Sequence, residues 1–192
     1  MKVEIKPPDT SKWDRIVKGA LSPNEFNKAM ARAINDALAA AKTQALKGVT
    51  DRYTIKRKEI ADLVSTRKAS GDNPGGMLRF RSQRKGLAKF KTRPAAPPIQ
   101  SGVPVERRKA VQVELLKGHG FTLPKGFVAQ MRSGHIGVFR REGAERLGID
   151  ERTGPTIAHM VGSREVIENV QERADEVLNN RIDHHIARAL AK

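Results

Sequence analysis

Five histidines, at positions 119, 135, 159, 184 and 185, are the side chains of this sequence best suited to metal ligation or proton transfer. No two stand at the i, i+4 spacing that puts two imidazoles on one helical face. His184 and His185, if helical, project about 100° apart and cannot share a ligand. With no cysteine in the chain, thiolate ligands, disulfides and cysteine nucleophiles are excluded. Carboxylates gather at Glu165, Glu168, Glu172, Asp175 and Glu176, but Arg164, Arg173 and Arg181 are interleaved with them. Opposite charges at helical spacing describe a salt-bridged polar face rather than an isolated acid/base pair. Neither G-x-x-x-x-G-K-[ST] nor G-x-G-x-x-G occurs, so a nucleotide phosphate cradle has no motif support. No catalytic residue, metal or cofactor is expected.

The cations say more. The formal net charge is +16, and residues 52–93 carry 13 basic against 3 acidic side chains, while residues 142–192 carry 7 against 10. A one-signed run repels itself unless a polyanion or an acidic protein surface neutralises it. Arg79, Arg81, Arg84, Lys85, Lys89, Lys91 and Arg93 are the residues expected to make that contact. The aromatics nearby, Tyr53, Phe80 and Phe90, are too sparse for a stacking platform. Any contact with DNA is therefore expected at phosphates and without sequence reading.

These side chains must be positioned by regular elements. A helix is expected over residues 23–47. Ser22 and Glu25 form a capping box around Pro23, Phe26 to Ala45 supplies an alanine-rich apolar stripe, and Gly48 is the expected stop. A shorter basic helix is expected from Thr54 as N-cap to Leu63. Residues 64–109, rich in Gly, Pro and Arg, are read as a basic β-hairpin or poorly packed arm. Within it, Met77 to Arg81 alternates as a strand with one basic face. Residues 110–116 read as a core strand. Residues 126–131 and 135–141 read as a hairpin about a two-residue Ser133-Gly134 turn. The last element is a helix over 164–190, capped by Ser163.

This order predicts an α+β domain, an antiparallel sheet with the alanine-rich N-terminal helix and the long C-terminal helix packed on it, plus a basic extended arm. Residues 1–21 are read as an N-terminal extension and 22–192 as one domain, with 64–109 inserted. Apolar residues make up 38% and aromatics 4% of the chain. No run approaches the ~18 apolar residues of a membrane span, and no apolar secretory segment opens the chain. A protein made in the cytoplasm, with no membrane partner, is expected.

The run GFVAQMRSGHIGVFRREG, residues 126–143, resembles the minor tail protein Z and tail-completion families of tailed bacteriophages. Gly126, Phe127 and Val128 match the lead, Gly134 the turn, and Val138, Phe139 and Arg140 the strand that follows. Leu147 and Ile149, then Gly154-Pro155, then the final helix stand in the family order. The alanine-rich first helix and the basic one after it agree as well. From the residues alone, Arg140 is a sheet-edge charge or an intersubunit ion-pair partner, and Gly154-Pro155 is a bend leading to the last helix or an ordinary turn.

The resemblance implies a structural virion component at the head-proximal end of the tail, assembled in the host cytoplasm. It implies tail completion and head–tail joining at the neck, as part of a ring around the DNA conduit; the alanine-rich helix and polarised charge make a closed, six-fold ring the expected assembly. The implied partners are the tail terminator, tail tube, head–tail connector and further copies of the chain, with backbone contact to genomic DNA. The alternative from another class is a free, sequence-independent nucleic-acid-binding protein, with an enzyme third.

Overall fold

The computed structural model describes residues 1–9, 11, 13, 20–95, 97, 110–143 and 148–191. Its longest element, α1, runs Pro23–Arg52. The capping box forms as expected: Ser22 Oγ accepts the Glu25 N–H at 3.3 Å, and the Glu25 carboxylate accepts the Ser22 N–H at 3.1 Å. The helix does not stop at Gly48, which lies inside it. The C-cap is Tyr53, whose N–H bonds the Val49 carbonyl. The last helix, Arg164–Leu190, has the expected bounds, although Ser163 gives it no side-chain cap and instead donates its hydroxyl to the Met160 carbonyl at 3.0 Å.

The two long helices run antiparallel. Arg52 at the end of α1 meets Glu165 at the start of the last helix at 2.8 Å, and Asp36 meets His185 at 2.9 Å. Alanines at 29, 33, 37, 41 and 45 keep one side of α1 low. The last helix buries Val166, Val170, Ala174, Leu178, Ile182 and Ile186 at every fourth position. Together these rows form the main core. Burying each branched side chain stabilises by roughly 1.5–3 kcal/mol, so this seam is the chief source of cohesion. The last helix therefore packs on α1 rather than directly on a sheet.

A three-stranded antiparallel sheet completes that core. It consists of β1 (Lys2–Ile5), β2 (Val64–Arg67) and β3 (Gly76–Phe80), in the order β1-β3-β2. Val3, Ile5, Val64, Leu78 and Phe80 point into the helices' core. Residues 2–5, read from sequence as extension, are thus an integral strand. Trp13 is buried as well, its indole N–H bonded to Asp183 at 3.0 Å.

The rest is a second module of short strands. Between β2 and its neighbour α1 stands α2 (Arg57–Ala61). After β3 come β4 (Arg84–Gly86), a 3-10 turn (Leu87–Lys89), β5 (Lys91–Arg93), β6 (Val111–Leu116), β7 (His119–Leu123), β8 (Gly126–Gln130), β9 (Ile136–Arg141), β10 (Ile149–Glu151) and β11 (Thr153–Thr156). They pair as β5-β6-β7, β10-β9-β8 and β4-β11, all antiparallel. Leu87, Val111, Val113, Leu123, Val128 and Val138 form its own small core. The short helix α3 (Ile157–Val161), capped by Thr156, leads into α4, the Arg164–Leu190 helix.

Several local expectations are corrected. Thr54 caps no helix: its hydroxyl donates to the Glu114 carbonyl and accepts the Lys91 N–H, at 3.0 Å, so it clips β5 and β6 together. The stretch expected as a poorly packed arm is, over residues 64–95, built into strands, with Leu78, Phe80 and Phe90 in the main core. The hairpin alternative holds for β2 and β3, which pair directly. Of the remainder of that stretch, residue 96 and residues 98–109 lie outside the described residues. The β8–β9 turn is three residues long, since Met131 and His135 still bond and Gly134 takes φ 81°, the left-handed position that closes such a loop.

Gly154-Pro155 is not a bend. Both lie within β11, whose register against β4 slips by one residue between Thr153 and Thr156. A bulge leaves one residue out of the ladder, which is where proline's missing N–H costs nothing. A Cβ on Gly154 would fall 2.7 Å from the Phe90 ring, so the small residue admits that ring into the core.

Candidate basic interaction surface

The seven cations singled out from sequence do not form one arm. They fall into three groups. Arg79 lies on the solvent face of β3, between Lys2 on β1 and Ser65 on β2. Arg81, Arg84, Lys85 and Lys89 follow the chain from β3 through β4 to the 3-10 turn. Lys91 and Arg93 stand on one face of β5, with Thr92 buried between them.

Part of this charge is neutralised within the fold. Glu59 on α2, with its side chain only 18% exposed, meets Lys89 at 3.2 Å and Lys85 at 3.9 Å. Lys91 meets Glu114, its register partner on β6, at 2.6 Å. The Lys91 hydrogen bond, then the Gly118 N–H and the charges of Lys91 and Arg93, hold the Glu114 carboxyl below the ordinary glutamate range. Among the described residues, Arg79, Arg81 and Arg84 have no carboxylate partner, and Arg93 makes no ion pair but acts on Glu114 through its charge. All four are exposed, and they carry what remains of the surplus.

Lys91 and Arg93 border a shallow groove of about 350 Å³ on the β5-β6-β7 sheet, with Gln112, Glu114 and Thr122 opposite and Gly120 leaving a gap in the wall. Tyr53, Phe80 and Phe90 are buried and offer no stacking face. The exposed aromatic is Phe121 on β7, 43% accessible. Sequence reasoning also missed Lys2 and Arg67, which share Arg79's sheet face. The alternation of Lys2-Val3-Glu4-Ile5 is the signal that could have found the first.

The motif residues Gly126, Phe127, Val128, Gly134, Val138, Phe139 and Arg140 all lie on the β8–β9 hairpin. Val128 and Val138 face the small core. Phe127 and Phe139 pair across the strands on the opposite face, with ring centroids 6.1 Å apart. Arg141 stacks over Phe127 at 5.4 Å, and His135 meets Glu151 at 3.0 Å beside them. Arg140 is exposed and stands in register with Asp150 on β10.

The carboxylates of α4 are salt-bridged within the helix at two of the expected places, while Arg181 turns to Asp36 of α1. Arg164 meets Glu168 at 2.8 Å and Arg173 meets Glu176 at 2.6 Å. His185 is held by Asp36 and flanked edge-on by His184. Among the described residues, no three metal-ligating side chains converge, and no helix is long and apolar enough to cross a membrane.

The cations singled out from sequence are thus spread over three sheets rather than gathered on one. No curated protein and no solved structure matches the chain. Residues 19–192, from just before α1 through the motif hairpin to the end of the chain, match the family described as prophage minor tail protein Z (GPZ). With both long helices and the motif hairpin inside the match, the chain belongs to the prophage minor tail protein Z family, structural proteins of the phage tail.

Proposed function

We propose that this tail protein sits at the head-proximal end of the tail, completes the tube there and readies it for joining the head, as one subunit of a closed ring. The observation that supports this reading is its polarised surface. Arg79, Arg81 and Arg84, unpartnered among the described residues, lie on and beside the sheets, and acids outnumber bases along α4. A subunit with two unlike faces suits head-to-tail contacts, which close into rings. A ring around the DNA path accounts for a basic surface on a protein with no catalytic constellation among its described residues.

Its neighbours on this reading are the tail tube, the tail terminator, the head–tail connector and further copies, six in the ring. The seven cations contact acidic neighbours or the phosphates of passing DNA. Cryo-EM of the assembled particle tests the proposal. Density for this chain at the tail–neck axis is the expected result, and density confined to the tail tip or fibres refutes it. A free nucleic-acid-binding role would instead give tight, salt-sensitive DNA retention by the isolated protein and no place in the particle.

A further inference from the structure

We propose that the solvent face of the β1-β3-β2 sheet docks the acidic side of α4 from a second copy of this chain. The inference rests on the ring reading above and names the seam between its subunits.

The sheet face is unusual in how it holds charge. With Val3, Ile5, Val64, Leu78 and Phe80 turned inward, Lys2, Glu4, Ser65, Arg67, Met77 and Arg79 face solvent. Register places Lys2, Arg79 and Ser65 in one row, and Glu4, Met77 and Arg67 in the next. Lys2 and Arg79 are therefore direct cross-strand neighbours of like charge, an arrangement that opposes pairing. Among the described residues neither has a carboxylate partner, and nor does Arg67. The fold holds this repulsion in place, and an anionic surface laid over the row would turn it into attraction.

The same chain carries the matching anions. On α4, Glu172 and Asp175 are exposed and have no cation partner among the described residues. They are three positions apart, about 4.5 Å along the helix axis. Adjacent strands are about 4.8 Å apart. A helix crossing the sheet thus brings these two carboxylates over cations on neighbouring strands, with Lys2 and Arg79 the pair in register. Within one copy α4 is fastened along α1 and meets this sheet at the β1 edge, where Asp175 shares a groove of about 450 Å³ with Lys2 and Lys6 but, among the described residues, pairs with neither. A second copy has no such restraint. Because the contact uses two different patches, it repeats head to tail.

The test is charge reversal and exchange in the full chain, with self-association measured by sedimentation and native mass spectrometry at low salt, and folding checked by circular dichroism. Arg79→Glu and the pair Glu172→Lys with Asp175→Lys should each weaken self-association at least about tenfold. Combining the two sets should restore it. Arg79→Gln, a milder change at an exposed position, should give an intermediate loss. Wild-type association in the reversal variants, failure of the exchange to restore it, or a wild-type protein that stays monomeric at the highest soluble concentration overturns the proposal. Loss of duplex DNA retention in Arg79→Glu with self-association unchanged would instead assign the face to a polyanion. Association through this seam in a protein that particle images place away from the neck would leave the inference standing and refute the tail-end reading.

Discussion

Gly48 of α1 and Val166 of α4 meet with no room for a side chain between them: a Cβ on Gly48 would lie 3.0 Å from Val166 Cγ1 and 3.3 Å from Cγ2. Glycine inside a helix costs about 1 kcal/mol relative to alanine, so its place in α1 is explained by the other helix and not by α1 itself. A Gly48→Leu variant should lose about 1–3 kcal/mol of stability through overpacking. Adding Val166→Ala should recover part of the loss. Denaturant midpoints of the single and double variants check this, and a strictly additive double variant would separate the two residues.

The paired rings of the motif hairpin are not equivalent. Phe139 is 5% exposed and folds over Gly137, whereas Phe127 is half-buried beneath Arg141. Phe139→Ala should cost about 3 kcal/mol, and Phe127→Ala about 1 kcal/mol. Thermal melts of both variants decide, with equal losses contradicting this division. Phe139→Asp, which buries an unpaired charge, should fail to fold.

Glu114 links β6 to β5 through Lys91, and its carboxyl is held below the ordinary value of about 4.3. A depressed native value means that the contribution is complete above the unfolded value and is lost as pH falls through the native one. Wild-type stability should therefore drop on the acid side of about pH 4 with a Glu114 component. Glu114→Gln should remove that component, leaving the variant less stable than wild type at neutral pH and closer to it as pH falls through the native value. Denaturant titrations from pH 3 to 7 read the difference.

Replacing Arg79, Arg81, Arg84, Lys85, Lys89, Lys91 and Arg93 together with glutamine tests the surface as a whole. If these side chains meet phosphates, DNA affinity of the wild type should fall by roughly 10³ between 50 and 200 mM salt for about six contacts, and the variant should lose most of that slope. If they meet acidic neighbours, DNA should compete poorly and head–tail joining should fail. Joining at the wild-type level in the variant would make this charge incidental.

The elements legible in the sequence were those written in local chemistry. Ser22 and Glu25 announce the start of α1, the helical apolar spacing announces both long helices, alternation announces β3, an apolar run announces β6, and Ser133-Gly134 announces the β8–β9 hairpin. Each signal is carried by residues within a turn or two of one another, so chain neighbours suffice to read it. What tertiary structure decided depends on partners far away in sequence. Gly48 continues a helix because Val166 packs on it, and Thr54 abandons a cap for Glu114 and Lys91. Gly154 and Pro155 lie in a bulged strand because Phe90 and β4 are there. Net charge was fixed by composition, but its partition was not. Glu59 and Glu114 neutralise Lys85, Lys89 and Lys91 only once the fold has brought those carboxylates within 4 Å.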